Sequence, residues 1–444
     1  MLQTDHGRTA TARFIMTLAV ALATVLVATP ASAERPLAIE WVQQIGDSGS
    51  NRIWDIGVSS TGDAYALGSD YKSGAGSQWL RQFDSNGTLG WSHQLAGDAR
   101  GIAVDDAGNS YVLASTRTGM ETLQHIALYD TSGNPVDQWT FDHHSIGPVY
   151  GGDNVIVHPA GGIYTIGSYS NPVDDGRLVR FAAHELSDGI AWVDEVTTGQ
   201  DDLGAAVDVG PSGNVYFTGS FGYYSGPRDS FVAKYTLDGN KIWMRQHATG
   251  DGNCLDRFGS SDIAVDGFGN AYIVGRPSNG ELFLSKYDND GDLQFHRPLA
   301  TDASAVEVTD SGTLYVVGTR SIAAYHADGA KSWVRDIEGV IYDVEITERG
   351  DVYAAGWTTA SVGSPNAGEV DAIVMKLSDG PEPFSHTTDW AAGDGSWRDV
   401  SSWSNGTPVG STQASIASGE ETTVGDYTFA RVGNLSVEGD TLLG

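Results

Sequence analysis

The chain has 444 residues, with 57 acidic side chains against 25 basic ones, so its formal net charge is −32 at pH 7. A surface this acidic repels nucleic acid and anionic lipid, which argues against partners of either kind. The single cysteine, Cys254, excludes an internal disulfide, so packing must hold the fold together.

Residues 1–33 have the composition of a secretory signal peptide. Arg8 and Arg13 precede an apolar run over 14–27, and Ala31 and Ala33 supply the small residues of a cleavage site. The run is shorter than the roughly twenty residues of a membrane helix, and no cysteine follows the cleavage site to carry a lipid. We expect a mature chain without membrane insertion, secreted or at the cell surface, with the periplasm as the alternative.

A Gly-x-x-Tyr phrase then recurs along the chain with strand-like flanks. The period of about 40 to 55 residues is typical of a β-propeller. The seven copies are Gly62/Tyr65, Gly108/Tyr111, Gly161/Tyr164, Gly213/Tyr216, Gly269/Tyr272, Gly312/Tyr315 and Gly350/Tyr353.

The copy over 202–243 shows the internal plan most clearly. Strand-like segments at 205–209 and 215–219 flank a turn in which Gly213 can adopt a positive φ. A third segment at 231–235 and a hairpin turn lead to a fourth strand near Trp243. Four strands per copy make one blade, so the copies predict a seven-bladed β-propeller.

Large aromatic residues recur at the start of the predicted outer strand of each copy. We interpret them, together with the repeated tyrosines, as packing between blades, because one four-stranded sheet cannot cover both of its faces. A ligand-stacking ladder is the alternative. The outer-strand residues are Trp41, Trp91, Trp139, Trp192, Trp243, Phe295 and Trp333.

The two ends of the repeat region complement each other. An outer strand at 39–45 precedes every first strand, whereas the third strand at 372–377 lacks a successor, and Pro381 and Pro383 would interrupt one. The sequence therefore predicts an all-β, seven-bladed β-propeller over 34–380 that is closed by its N-terminal strand. A linker over 381–389 and a further segment over 390–444 follow.

The phrases at 263–275 and 229–235, with the turn at 238–240, resemble the bacterial seven-bladed β-propeller repeat (SBBP) family. The resemblance extends over about residues 38–380 and is looser in the third copy and in the shortened sixth. It implies a secreted or surface-exposed propeller, often within a larger protein, with no common catalytic residues.

The C-terminal segment differs from the repeats. Trp390, Trp397, Trp403 and the stretch 424–443 resemble the opening of bacterial surface β-solenoid regions, including those of autotransporters. Only about one coil is present, whereas a solenoid needs about three to bury its core. The segment is a truncated β-solenoid, or docks on the propeller, or stays poorly ordered. Its tryptophans fit a structural cap or ring stacking on a carbohydrate.

Candidate ligand-binding residues lie in the long loops on one face of the ring, where rigid scaffolds usually bind. They are Tyr71, His143, His144, Tyr223, Tyr224, Arg228, Arg257 and Trp357.

The metal signals in these loops are weak. His143 and His144 lack a partner at a diagnostic spacing. The turn at 288–292 is similar to the start of a calcium loop, but Leu299 stands where a Glu is needed, so we predict a hairpin. Calcium across loops, through Asp201, Asp202, Asp251 and Asp256, remains open, and no other cofactor is expected.

Three functions remain open. We expect a non-catalytic binding or scaffold protein whose loop face engages a glycan, a surface polymer or a protein. The first alternative is a display or spacer domain of a larger adhesin-like surface protein. The second is a propeller enzyme, quinoprotein-like or polysaccharide-degrading: the turn and tryptophan at 238–243 are similar to pyrroloquinoline quinone dehydrogenase repeats, but their vicinal cysteine pair is missing. No nucleophile-elbow, Walker or zinc-protease motif occurs.

Overall fold

A computed structural model shows a β-propeller with no helix, and thus no membrane-crossing helix, among the residues it describes. The predicted signal segment lies outside these residues. The structure describes five short strands between 386 and 437, and residues 36–378 except for 48, 73–74, 119–120, 142–154, 159–161, 171–173, 182–189, 197–200, 223–227, 248–259, 276–281, 300–301, 348 and 363–364.

Five four-stranded antiparallel sheets form blades, each built from consecutive strands. The strands of the first two are β2 (Ser50–Val58), β3 (Ala64–Lys72), β4 (Ala75–Phe83) and β5 (Leu89–Leu95), then β6 (Asp98–Val104), β7 (Ser110–Thr118), β8 (Glu121–Tyr129) and β9 (Pro135–Phe141). Those of the other three are β10 (Val155–Val157), β11 (Ile163–Ser170), β12 (Asp174–Phe181) and β13 (Ile190–Val196), then β14 (Asp201–Val209), β15 (Val215–Gly222), β16 (Arg228–Tyr235) and β17 (Lys241–His247), then β18 (Ser260–Val265), β19 (Ala271–Gly275), β20 (Phe283–Tyr287) and β21 (Leu293–Pro298).

The sixth and seventh repeats share one six-stranded sheet, in the order β1-β26-β25-β24-β23-β22. Its strands are β1 (Ala38–Ile45), β22 (Ala305–Val308), β23 (Leu314–Tyr325), β24 (Lys331–Ile346), β25 (Val352–Thr358) and β26 (Asp371–Ser378).

The prediction of seven separate blades is therefore wrong: the propeller has five four-stranded blades. The reason lies in the shortened sixth repeat. No loop divides β23, which continues through Arg320, the one described non-glycine residue with a positive φ (66°). Strand β24 runs for 16 residues from the sixth repeat into the seventh. The pairing of Thr319 with Val340 joins the two repeats by backbone hydrogen bonds.

The predicted N-terminal closure is confirmed. Strand β1 pairs antiparallel with β26, from Ala38 opposite Ser378 to Ile45 opposite Ala372. The Lys376 ammonium lies 2.8 Å from Glu40 of β1 and 3.1 Å from Asp351. The chain's first described strand thus occupies what would otherwise be an exposed sheet edge.

The loops beyond this strand pair are also tied together. The Gln44 Nε2 donates to Ala360 O at 2.9 Å and to Asp371 Oδ2 at 2.8 Å, and Val362 N donates to Gln44 Oε1 at 2.8 Å. Asn51 N donates to Val370 O at 2.8 Å. Closure therefore rests on side-chain and loop contacts as well as on a β-ladder.

The aromatic residues pack between sheets, as predicted. The indole N–H of an outer-strand tryptophan donates to a carbonyl in the outer hairpin of the following sheet: Trp41 to Ser85, Trp91 to Thr131, Trp192 to Leu237 and Trp243 to Asn289, at 3.0 to 3.1 Å. The repeated tyrosines lie edge-on or tilted against these rings and are buried. This burial argues against the ligand-stacking ladder.

Beyond the propeller, short strands pair in parallel. Strands β27 (His386–Asp389), β29 (Thr412–Ile416) and β31 (Asn434–Val437) form one sheet, and β28 (Gly395–Ser396) pairs with β30 (Thr422–Thr423). The first of these strands begins within the segment predicted as a linker. Trp390, Trp397 and Trp403 lie outside the described residues, and the domain boundaries stay predictions.

The Trp41 contact can be measured with a glycine pair matched in backbone conformation. Gly87 (φ 82°) and Gly350 (φ 83°) are both left-handed. A Cβ at Gly87 would lie 2.7 Å from the Trp41 ring, whereas a Cβ at Gly350 would meet nothing within 4 Å. We expect Gly350→Ala to cost about 1 kcal/mol of unfolding free energy, and Gly87→Ala about 1–3 kcal/mol more. Urea denaturation measures both, and equal losses would contradict the contact.

Candidate functional site

The first strand of each repeat lies at the centre of the ring. Each contacts the first strand of the next repeat along the chain, and β24 contacts β2, so the series closes on itself. The first strand of each four-stranded blade, and β22 of the six-stranded sheet, is an edge of its sheet, and its outward N–H groups lack a strand partner. The centre of this propeller is therefore lined by backbone donors that need acceptors.

A β-bulge recurs at the same place in these first strands and was not predicted from the sequence. The ladder shifts by one residue in the first strands of five sheets. The five extra residues share no residue type, so a single inserted residue leaves little signal in the sequence. Bulges re-aim side chains near functional sites. The extra residues are Trp54, Arg100, Ala205, Ser261 and Tyr342.

Four aspartates, the inner-edge carboxylates, provide acceptors for these free donors. Each accepts from the backbone N–H of the next first strand: Asp55 from Ile102 (2.8 Å), Asp208 from Val265 (2.7 Å), Asp262 from Val306 (2.8 Å) and Asp343 from Ile56 (2.9 Å). A hydrogen bond between neutral groups contributes about 0.5–1.5 kcal/mol net. The carboxylates thus join neighbouring sheets where no β-ladder can form.

The environment of these acids opposes their ionisation. Burial raises the pKa of Asp208 to about 7, although Val209 N and Val265 N donate to it. Burial and neighbouring carboxyls, including Asp208, raise the pKa of Glu307 and Glu345 well above the usual range. The centre of the ring therefore holds protons at pH values where exposed acids have lost them.

Metal-binding geometry is missing from the part of the chain that the structure describes: there, no group of three or more His, Cys, Asp or Glu side chains could hold an ion. The turn at 288–292 is a hairpin, as predicted, in which Asp288 Oδ1 accepts from Asp290 N and Asp292 N. Of the loop acids considered for calcium, Asp202 is buried on β14, and Asp251 and Asp256 lie outside the described residues.

At the loop end of the ring, Arg52 of β2 lies over Trp357 of β25, with its guanidinium carbon 5.1 Å from the ring centroid. Arg52 is exposed, and no described carboxylate lies within ion-pairing distance of it. The indole Nε1 of Trp357 is buried and has no hydrogen-bond partner among the described residues. Arg52 and Trp357 come from different sheets, so the pair bridges the interface between the first blade and the six-stranded sheet, which we call the closure interface.

A second arginine–tryptophan pair nearby differs in being fully engaged. Arg81 lies 3.9 Å from the Trp79 ring centroid and 3.6 Å from Asp70. Asp70 Oδ1 also accepts from Trp79 Nε1 and from Asn51 Nδ2, both at 2.7 Å. The polar groups of this network bond to one another, which indicates a structural role. Arg52, by contrast, has N–H donors without an ion-pair partner among the described carboxylates.

Only part of the predicted site is described. Tyr71, at the loop end of β3, is 57% exposed, and Trp357 lies at the same end of the ring. Arg228 begins β16. The other predicted residues, His143, His144, Tyr223, Tyr224 and Arg257, lie outside the described residues. Arg52 was missed because a lone arginine in a strand carries no sequence signal, and its ring partner is about 300 residues away.

No protein-family model and no curated protein matches this chain. Among solved structures, the β-propeller domain of the Trilobed protease from Pyrococcus furiosus is 8% identical, with a TM-score of 0.47, over 74% of this chain and 94% of that one. The Neurospora crassa Pan2 WD40 domain is 10% identical, with a TM-score of 0.44, over 74% and 89%. A Bacteroides caccae protein of unknown function is 14% identical, with a TM-score of 0.40, over 56% and 83%. The chain is a β-propeller, and these similarities say nothing of its ligand.

The raised pKa of Asp208 predicts a pH-dependent contribution to stability. Its native pKa of about 7 exceeds the usual 3.8, so the native state binds the extra proton and stability falls as pH rises between these values. Relative to Asp208→Asn, we expect the wild type to lose about 1–4 kcal/mol of unfolding free energy from about pH 4 to pH 8.

Urea denaturation across this pH range measures the difference. Asp106→Asn, at an exposed turn, is the control and should follow the wild-type profile. Parallel profiles for the wild type and Asp208→Asn would contradict the prediction.

Proposed function

We propose that this chain is a secreted or surface-exposed, non-catalytic binding propeller whose loop end engages a glycan or surface polymer at the Arg52–Trp357 pair. The observation that carries the proposal is an exposed arginine that lies over a tryptophan ring without an ion-pair partner among the described carboxylates. A guanidinium left free at the surface suits a ligand.

The chemistry of the pair fits a hydroxyl-rich ligand. A guanidinium carries five N–H donors in a fixed planar arrangement. Stacking on an indole already restricts its side-chain conformations, so binding a ligand costs less conformational entropy. Tyr71 offers an exposed phenol at the same end of the ring. Sugar oxygens accept such bonds, and aromatic rings suit the apolar faces of sugars.

The arrangement of the inner acids favours binding over catalysis. General acid–base chemistry requires a carboxyl within reach of substrate. The inner-edge carboxylates instead accept backbone N–H groups from the next first strand, which gives them a structural role. The two alternatives, a spacer domain of a larger adhesin-like protein and a propeller enzyme, have no such specific observation in their favour.

The test is binding of the mature chain to immobilised glycans and cell-wall polymers, with and without calcium. We expect Arg52→Ala and Trp357→Ala each to weaken binding about tenfold or more, because each removes half of the pair. Arg52→Lys should retain only part of the affinity, since an ammonium lacks the planar fork.

Phe268→Ala is the matched control. Phe268 is an aromatic residue, 73% exposed, in the turn after β18, at the opposite end of the ring. The Phe268→Ala variant should bind with wild-type affinity. Equal losses for Phe268→Ala and Trp357→Ala, or no binding to any polymer, would overturn the proposal, and the second result would favour the spacer function.

A further inference from the structure

Two of the inner-edge carboxylates meet at the closure interface. Ile56 N lies 3.0 Å from Asp55 Oδ1 and 2.9 Å from Asp343 Oδ2, so one backbone N–H serves oxygens of both side chains. Both aspartates are 5% exposed. They come from different sheets, Asp55 from β2 and Asp343 from β24.

The remaining oxygens of the pair are occupied. Asp55 Oδ2 accepts from Ile102 N at 2.8 Å, and Asp343 Oδ1 accepts from Val344 N at 2.9 Å. A single N–H that bonds to both side chains holds Asp55 Oδ1 and Asp343 Oδ2 at the same donor. Ionised carboxylates have acceptors only, so two of them at one donor repel each other unless a proton on one lets it donate to the other.

No neighbouring cation replaces that proton. Glu345 of β24 is the further charged group that acts on Asp55, and it is also acidic. None of the other described charged groups on strands packed against β2 is among the groups that shift the pKa of Asp55 or Asp343. They are Asp70 of β3, Asp98 and Arg100 of β6, Lys331, Arg335, Asp336 and Glu338 of β24, and Asp371 and Lys376 of β26. Arg52, on β2 itself, lies over Trp357.

We propose that Asp55 and Asp343 share one proton that keeps the closure interface tight, and that the loss of this proton at alkaline pH loosens the contact between the first blade and the six-stranded sheet. The proton moves from the carboxyl pair to hydroxide or buffer base and leaves two adjacent carboxylates that repel each other. Burial and the adjacent acid raise the pKa of Asp55 well above its usual range, so the proton is lost only at alkaline pH. This inference does not depend on the proposed function.

The experiment is amide hydrogen exchange of the full mature chain at about pH 6 and about pH 9, corrected for the intrinsic pH dependence of exchange. In the wild type, we expect protection of the β2 amides over 50–58 to fall at least about tenfold at the higher pH. A tenfold change is the factor that corresponds to a pKa shift of one unit. Strands β11 and β12 are the internal reference and should keep their protection, because the first strand of their blade takes part in none of the four inner-edge hydrogen bonds.

Variants separate the shared proton from a general effect of charge. Asp343→Asn replaces the titrating group with a carboxamide whose N–H is permanent, so β2 protection should become the same at both pH values. Asp262→Asn is the matched control: it changes an inner-edge carboxylate at another interface, keeps the Asp55–Asp343 pair, and should preserve the wild-type change at β2.

The proposal is overturned if wild-type protection of β2 is equal at the two pH values, if β11 and β12 lose protection equally, or if Asp343→Asn keeps the wild-type change. If Asp343→Asn does not fold, Asp55→Asn takes its place in the exchange experiment. If neither variant folds, the wild-type comparison of β2 with β11 and β12 decides alone.

Discussion

The structure depends on hydrogen bonds between buried carboxylates and the free N–H groups at the inner edges of the sheets. A ring of sheets leaves each first strand with donors that no neighbouring strand can accept, because adjacent sheets face one another rather than continue a ladder. Asp55, Asp208, Asp262 and Asp343 supply the acceptors, each across an interface between neighbouring first strands. The cost is that carboxyl groups are withdrawn from water at the centre of an acidic protein.

The outer part of the ring is held by a different interaction. There the outer-strand tryptophans bury aromatic surface and donate an indole N–H to the hairpin of the next sheet. Apolar burial is insensitive to pH, whereas hydrogen bonding to carboxyl groups is not. The two interactions therefore divide the ring into an outer part of constant strength and a centre whose strength follows proton binding.

The closure interface brings these features together. It contains the indole hydrogen bond from Trp41 of β1 to Ser85, the Asp55–Asp343 pair near the axis and the Arg52–Trp357 pair at the loop end. Arg52 lies three residues before Asp55 on the same strand. A change in the spacing of the two sheets would act on both pairs, so the proposed shared proton and the proposed ligand site are mechanically connected through β2.

The sequence by itself determined the repeats, the strand segments, the packing role of the aromatic residues and the closing strand, because each depends on local patterns such as turn glycines and β-branched runs. Only the tertiary structure decided how the strands divide into sheets, since the last two repeats merge because β24 runs unbroken from one into the other and because Thr319 pairs with Val340. It also decided the bulges, the Arg52–Trp357 pair and the partners of the buried acids. Ile56 and Asp343 are 287 residues apart, and no local pattern records which distant N–H an aspartate will meet once the ring has closed.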